Sequence, residues 1–232
     1  MNRLRACARR LGAIEESHPR IARIMTNALH VRVVDESNVA AVFAFLEQHA
    51  DTSMLLLGIL KRGSGFSEVL ALKEILQALD LRRVRPPTPD LHVRHLGADD
   101  FQQWDRLIAG YGAEEGLPMH DNREERDKFF RRSAELRRWW GYFEDDRLVA
   151  IASLNAVYKR LGQVGGVYTE PARRRFGFSR ATMNTLLADS VQLHGLERLS
   201  LFTGEHNSAA RHMYTTLGFS TIGDFALLMC AP

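Results

Sequence analysis

The chain has 232 residues, of which 45% are hydrophobic and 25% are charged, and it carries a net charge of +3. This balance is typical of a globular protein with one large domain or two small ones. Its two cysteines, Cys7 and Cys230, provide neither a disulfide framework nor zinc-ligand spacing, so we expect no metal and a cytoplasmic location. No apolar run approaches the roughly 20 residues that span a bilayer, so we expect no membrane partner.

The positive charge is concentrated at the start of the chain. Residues 1–25 contain six arginines against Glu15 and Glu16, a surplus of four, so the remaining residues sum to −1. We predict that residues 1–28 form a basic, disordered leader. Because the rest of the chain is neutral and has no basic-aromatic platform, the sequence disfavours nucleic acid as a partner.

Residues 29–84 are predicted to form a small N-terminal α/β unit. The segment 29–34 alternates as a short strand does, and Asp35 can cap a following helix. The second half of 67–84 is interpreted as a strand, although its composition also allows a helix. GSG at 63–65 follows no strand and has no basic partner, so we expect this unit to have a structural role. The apolar face of its helix is formed by Val39, Val42, Phe43 and Leu46.

Residues 85–90, RPPTPD, are predicted to be a linker, because its prolines cannot continue a helix or a central strand. Residues 91–232 form the second unit, which opens with a strand at 91–96 and a helix capped by Asp99. The residues of this helix that should face inward are Phe101, Trp104, Ile108 and Tyr111.

Capping residues, turns and apolar runs predict the rest of the second unit. The predicted elements are a helix from Asp121 or Asn122, a hairpin turning at Asp145-Asp146, a strand ending at Pro171, a helix ending at Gly195, a strand at 198–203, a helix at 207–217 and a strand at 224–230. Their order, β-α-α-β-β-β-α-β-α-β, indicates a mixed α/β fold with a mainly antiparallel sheet flanked by helices. Trp139 and Trp140 should face opposite sides of that sheet.

A strand, a short basic loop and a helix follow one another between residues 163 and 190. This geometry aims backbone N–H groups and a helix N-terminus at one point, which favours a phosphate or pyrophosphate. Gly177 lets a ligand approach the backbone closely. The alternative is a glycine-containing turn beside a solvated basic run, formed by Arg173, Arg174, Arg175 and Arg180.

A second motif, NSAARHMYTTLGF, occupies residues 207–219. Asn207 is placed to cap a short helix, and Gly218-Phe219 turns the chain into the last strand. Tyr214 lies on the apolar face of that helix. A tyrosine there is usually a core residue, but here its hydroxyl could reach the reactive end of a ligand held by the neighbouring loop.

Together these motifs resemble the GNAT superfamily of N-acetyltransferases. The family's phosphate loop, P-x-x-[QR]-x-x-G-x-[GA], is matched by Pro171, Arg174 and Gly177, whereas Ser179 replaces its last small residue. The helix at 207–219 matches the family pattern N-x-x-A-x-x-[apolar]-Y-x-x-x-G-F completely. The strings GGVYT and LFTGEHNSAA resemble the glycine-N-acyltransferase-like branch, which has a divergent N-terminal half. By this resemblance the first unit is a truncated GNAT-like half.

The resemblance implies acetyl-CoA as the co-substrate and no metal. Backbone groups of Val167, Tyr168 and Thr169 would hold the pantetheine arm and the thioester carbonyl. The pyrophosphate would be wrapped by the loop residues Arg174, Arg175, Phe176, Gly177, Phe178, Ser179 and Arg180. Asn207 and Ala210 would contact the pantetheine arm.

The implied reaction is direct attack of a neutral amine on the thioester, with Tyr214 protonating the departing thiolate. Glu170 and Glu205 are the candidate bases, and each could equally be a solvated surface carboxylate. Glu114 and Glu115 are candidates for binding a cationic acceptor, which would be a primary amine of a small molecule, an amino acid or a peptide. By position, His120, His206 and His212 are further candidates.

Two alternatives to an enzyme stay open at this stage. A non-catalytic acyl-CoA-binding regulatory module would keep the phosphate loop and lose turnover, although the intact Tyr214 argues against it. A nucleic-acid-binding protein would follow from the net charge, but the neutral body of the chain argues against that function. The sequence leaves the oligomeric state undecided.

Overall fold

The computed structural model describes residues 67–115 and 122–231, with the single residues 40 and 44. Its strands are β1 (Ser67–Asp80), β2 (Val93–His95), β3 (Trp139–Glu144), β4 (Arg147–Tyr158), β5 (Leu161–Thr169), β6 (Arg198–Gly204) and β7 (Ser220–Ala231). Its helices are α1 (Phe101–Glu115), α2 (Arg123–Glu135), α3 (Phe178–Gln192) and α4 (Ser208–Thr216). The predicted leader, the strand at 29–34 and the helix after Asp35 lie outside the described residues.

One seven-stranded sheet contains the strands of the described residues, in the order β2-β3-β4-β5-β6-β1-β7. Neighbouring strands are antiparallel except β5 and β6, which are parallel. The predicted α/β fold with a mainly antiparallel sheet is therefore confirmed. The predicted element order after residue 90 is also confirmed, and the ambiguous segment 67–84 forms a strand over Ser67–Asp80.

Strand β1 lies between β6 and β7, so the part of the chain before the proline-rich segment contributes a central strand to the sheet. Leu76 and Leu79 point to opposite faces, and both are buried. A strand buried on both faces has no simple alternation of polar and apolar residues. This explains why its sequence is also compatible with a helix.

Two hydrophobic cores lie on opposite faces of the sheet. Trp140 packs on one face among side chains from α3 and α4, and Trp139 packs on the other face against α1 and α2, as predicted. The first core includes Leu79, Met183, Leu186, Leu199, Tyr214 and Phe219. The second includes Leu96, Trp104, Leu107, Phe130, Ile151 and Tyr168.

The start of α1 differs from the prediction in one residue. Asp100, rather than Asp99, holds the turn, because its Oδ2 accepts from the backbone N of Gly97 at 2.7 Å. Arg94 Nη1 donates to the same oxygen, also at 2.7 Å. The capping carboxylate thus forms an ion pair with a strand residue, which sequence spacing alone does not indicate. For α2, Asn122 is the cap, as one of the two predicted alternatives.

None of the helices in 67–115 and 122–231 is long and apolar enough to cross a membrane. Within the same ranges, no group of three or more histidine, cysteine, aspartate or glutamate side chains is arranged to hold a metal ion.

We expect Leu79→Ala to lower the free energy of unfolding by about 2–5 kcal/mol, because it removes buried methyl groups from β1 and leaves a cavity in the first core. Leu91→Ala is the matched control. Its side chain is 99% exposed, so the loss should stay within about 0.5 kcal/mol. Urea denaturation of both variants measures the difference. Equal losses would contradict the placement of β1 in the centre of the sheet.

Candidate functional site

Strands β5 and β6 separate from each other shortly after they begin. Their parallel pairing covers only residues 161–163 with 198–200, although β5 continues to Thr169 and β6 to Gly204. Beyond the paired residues, the facing edges of the two strands form a wedge-shaped gap in the sheet. Unpaired backbone N–H and C=O groups on such edges can bind an extended ligand as a further strand would.

A β-bulge accompanies the separation of the strands. Between Tyr168 and Gly165, β5 has one residue more than the facing stretch of β4 from Ile151 to Ser153. The bulge contains Gly166, whose φ is +58°. A Cβ there would lie 2.8 Å from Trp139 Cη2, so this position requires glycine. A bulge bends its strand, which explains how β5 leaves its neighbour.

Helix α3 begins at the end of β5, and its first turn is open to a ligand. The N-cap residue is Gly177, with a φ of +87° and no side chain to accept the first N–H groups of the helix. These groups lack intrahelical partners, and the helix dipole makes this end positive. The Ser179 hydroxyl hydrogen-bonds that of Thr169, which attaches the turn to β5. This arrangement has the backbone geometry and the positive helix end that can bind an anion.

The arginines of the loop have different surroundings. Arg174 turns back from the helix terminus, with its Nη2 2.6 Å from Glu114 Oε2 and its Nε 3.1 Å from the carbonyl oxygen of Thr169. Arg180 donates to Thr216 Oγ1 at 2.7 Å. In the described part of the chain, Arg175 forms no ion pair. Its guanidinium is therefore available to a bound anion.

An aromatic stack extends from the loop across the surface. The rings of Phe176 and Phe178 lie 5.8 Å apart and nearly parallel, and Phe178 stacks on Tyr142 at 4.4 Å. His92 extends the stack beyond Tyr142 at 5.5 Å. Phe176 ends the stack and is 67% exposed, so it offers a flat apolar surface beside the start of α3.

Helix α4 follows β6, and Tyr214 is its buried residue, packed in the first core. Because β5 and β6 are parallel, the loops after them lie at the same edge of the sheet. Asn207 caps α4, since its Oδ1 accepts from the backbone N of Ala210 at 3.2 Å. The side chain of Tyr214 is 6% exposed, and this burial raises the pKa of its phenol. Nearby Tyr111, Glu115 and Glu74 raise that pKa further.

The two predicted acceptor carboxylates, at the end of α1, have different partners. Glu114 binds Arg174, and the hydroxyl of Tyr168 donates to its Oε1 at 3.3 Å. Glu115 lies near Tyr111, where burial, with negative charge from Glu115 and Glu74, raises the pKa of the phenol to about 12.

The two predicted bases lie in different environments. Glu170 Oε1 accepts from Arg106 at 2.9 Å and from Arg147 at 2.6 Å, so its charge is held by two guanidinium groups. Glu205 is exposed, and its carbonyl oxygen accepts from Arg211 at 3.1 Å. Of the other candidates, His206 and His212 are exposed. His120 lies outside the described residues.

Glu74, on β1, is a further buried carboxylate, which the sequence motifs do not indicate. Its side chain is only 7% exposed, and burial together with the charge of Glu115 raises the pKa of its carboxyl to about 7. A charged residue inside a strand that is apolar on both faces was the available signal. The structure thus groups Glu74, Tyr111, Glu115 and Tyr214, whereas Glu114 and Glu170 are bound by arginines.

Comparisons with known proteins agree with this architecture. A sequence model of the Acetyltransferase (GNAT) family matches residues 99–219, a little over half of the chain. An acetyltransferase of the GNAT family from Novosphingobium aromaticivorans is similar in structure, with a TM-score of 0.55 and 20% identity over 71% of this chain and 67% of that chain. Another GNAT acetyltransferase, from Colwellia psychrerythraea, has a TM-score of 0.53 and 14% identity over 87% of this chain and 76% of that chain. No protein of curated function gives a significant match. The family match shows that the chain belongs to the GNAT acetyltransferase family.

Proposed function

We propose that this protein is an N-acetyltransferase that moves the acetyl group of acetyl-CoA to a primary amine of a small molecule, an amino acid or a peptide. Membership of the GNAT family implies acetyl-CoA as the donor. The observation that supports the proposal most strongly is the gap between β5 and β6. An open helix N-terminus lies at the end of one strand, and a buried tyrosine lies on the helix after the other.

In the proposed binding mode, CoA lies along the gap, with its pyrophosphate at the start of α3 and its thioester toward Tyr214. The first turn of α3 binds the pyrophosphate through its N–H groups. The free edge of β5 at Val167, Tyr168 and Thr169 binds the pantetheine arm, and the exposed Phe176 ring offers a stacking surface for adenine. The remaining assigned contacts are Arg174, Arg175, Gly177, Phe178, Ser179, Arg180, Asn207 and Ala210.

In the proposed reaction the neutral amine attacks the thioester carbonyl carbon, and the C–S bond breaks. Tyr214 gives its phenolic proton to the departing thiolate. The phenol is protonated at neutral pH, as a proton donor must be, and burial raises its pKa further. The N–H groups along the gap orient the thioester, so no covalent intermediate on the protein is required.

The acceptor end of the gap is acidic. Glu115 is proposed to attract the cationic form of the amine, and its influence on Tyr111 and Tyr214 supports a position near the reacting atoms. Glu114 remains a predicted acceptor contact, although the ion pair with Arg174 offsets the negative charge of its carboxylate. Glu170 and Glu205 remain predicted bases.

We also infer that the chain belongs to the glycine-N-acyltransferase-like branch and that residues 29–84 are its divergent half. The strings GGVYT and LFTGEHNSAA support this inference. The cytoplasmic location remains supported by the lack of a disulfide framework around Cys7 and Cys230.

We expect Tyr214→Phe to lower kcat by roughly 10²-fold or more, because the thiolate loses its proton donor. Tyr158→Phe, the same change at the end of β4, is the matched control and should leave kcat unchanged. Thiol release from acetyl-CoA across a panel of amines measures the rate, and calorimetry should show the same CoA affinity in both variants.

Measurements of CoA binding and thiol release on the wild-type protein distinguish the proposed enzyme from the alternative acyl-CoA-binding module. CoA binding without thiol release for any amine would indicate a non-catalytic acyl-CoA-binding protein. No CoA binding at all would contradict both functions.

We expect Ser179→Asp to weaken CoA binding by roughly tenfold or more, because one unit charge near another contributes about 1–4 kcal/mol at a protein surface. Ser179→Asn is the neutral control of nearly the same shape. An acidic residue in the first turn stabilises a helix by about 0.3–1 kcal/mol, so the Asp variant should remain at least as stable as the Asn variant. Calorimetric titration with CoA and thermal denaturation measure the two effects. Equal CoA affinity of the two variants would contradict a phosphate site at α3.

A further inference from the structure

Glu74 carries a buried carboxylate in the middle of β1. It is 7% exposed, and the described residues provide no hydrogen bond or ion pair to its side chain. Burying a carboxylate without such partners is costly and favours its neutral form. A carboxylate kept in a central strand at this cost is a candidate functional group.

The strand pairing places Glu74 beside β6, the strand that borders the gap. Glu74 is paired with Gly204 on β6, and β6 is the strand that borders the gap. Cβ atoms of directly paired residues lie about 5 Å apart on the same face of a sheet, but glycine has none. The backbone of β6 therefore places no side chain of its own between Glu74 and the gap. The ring of His206 occupies the space above Gly204, with Cε1 2.5 Å from the position of a Cβ there.

The other groups around Glu74 belong to the reactive end of the site. Glu115 and Tyr111 of α1 and Tyr214 of α4 interact electrostatically with Glu74, and the His206 ring lies beside its strand partner Gly204. Its strand neighbour on the far side is Phe225 of β7, which has no titratable group. The charge on Glu74 influences both Tyr111 and Tyr214, so the carboxylate and the proposed acid share one environment.

We propose that Glu74 is the general base of acetyl transfer and accepts a proton from the acceptor ammonium at the gap between β5 and β6. This assignment rests on the proposed function and gives the base role to a residue of β1. The carboxylate takes one proton from the ammonium, and the resulting amine forms the C–N bond as the C–S bond breaks. The thiolate takes the proton of Tyr214. The second proton lost by nitrogen restores Tyr214, and Glu74 releases its proton to solvent.

Glu74 is better suited to this role than the two bases expected from the sequence. The Oε1 of Glu170 is already bound by Arg106 and Arg147, and Glu205 is exposed. A general base works best when its pKa is close to the operating pH. Burial and the charge of Glu115 bring the pKa of Glu74 to about 7.

The test compares Glu74→Gln with Asp80→Asn, which removes a carboxylate from the far end of the same strand. We expect Glu74→Gln to lower kcat/KM for the amine by roughly 10²-fold, with CoA affinity within twofold of wild type. The rise of kcat/KM with pH, centred near pH 7 in the wild type, should disappear in this variant. Glu74→Asp should keep that rise at a reduced rate, and Asp80→Asn should keep both the rise and the rate.

A stability measurement tests the titration of Glu74 without activity. The pKa in the folded state, about 7, lies above the ordinary carboxyl value of 4.5, so folding favours the protonated carboxyl. Its stabilising contribution is full below about pH 4.5 and is lost as the pH rises through 7. The Tm of Glu74→Gln relative to wild type should therefore increase between pH 5 and pH 8. A constant difference over this range would overturn the assignment.

Four activity outcomes separate the two proposals. Loss of rate and of the pH-dependent rise in Glu74→Gln supports Glu74. If the wild type is active and Glu74→Gln keeps both, the base assignment fails and the acetyltransferase proposal stands. The base assignment also fails, and the acetyltransferase proposal stands, if His206→Gln rather than Glu74→Gln abolishes the rise of kcat/KM with pH. If the wild type binds CoA but releases no thiol with any amine, the proposed function fails, and the assignment of Glu74 fails with it.

Discussion

The early separation of β5 and β6 is the constraint on which the rest of the site depends. Two parallel strands that pair over only three residues leave backbone hydrogen-bonding groups unpaired on both edges. Such groups are costly to bury unless a ligand or water satisfies them. The sheet can maintain the separation because β4 still holds the bulged β5 on its other side. On the far side of the gap, β6 pairs with β1 over residues 198–204.

Strand β1 thus has two roles that cannot be separated physically. It buries Leu76 and Leu79 on opposite faces of the sheet, and it supports β6, which has only a short pairing on the side of the gap. The same strand brings Glu74 beside Gly204. A segment that looks like part of a separate unit in the sequence therefore contributes both to the sheet and to the proposed chemistry.

The sequence predicts well what depends on local spacing. The cap at Asn207, the glycine at the start of α3 and the order of elements after residue 90 follow from short-range rules, and the structure agrees with them. Contacts between segments that are distant in the sequence cannot be predicted from local spacing. Glu170 resembles a free base in the sequence, but Arg106, 64 residues away, reaches its carboxylate. Glu74 approaches Gly204 only through the pairing of β1 with β6, a register that no local motif encodes.

Burial acts on the acid and the proposed base in the same direction, with different consequences. It raises the pKa of Tyr214, which keeps a proton donor fully protonated, and it raises the pKa of Glu74 to about 7, which makes a weak base stronger. Glu115 strengthens both effects because its negative charge opposes ionisation of each group. A cationic amine entering this environment would reverse part of that influence, since its charge stabilises both anions. Binding of the acceptor would thus promote ionisation of Glu74, so the carboxylate would become a competent base when its substrate is in place.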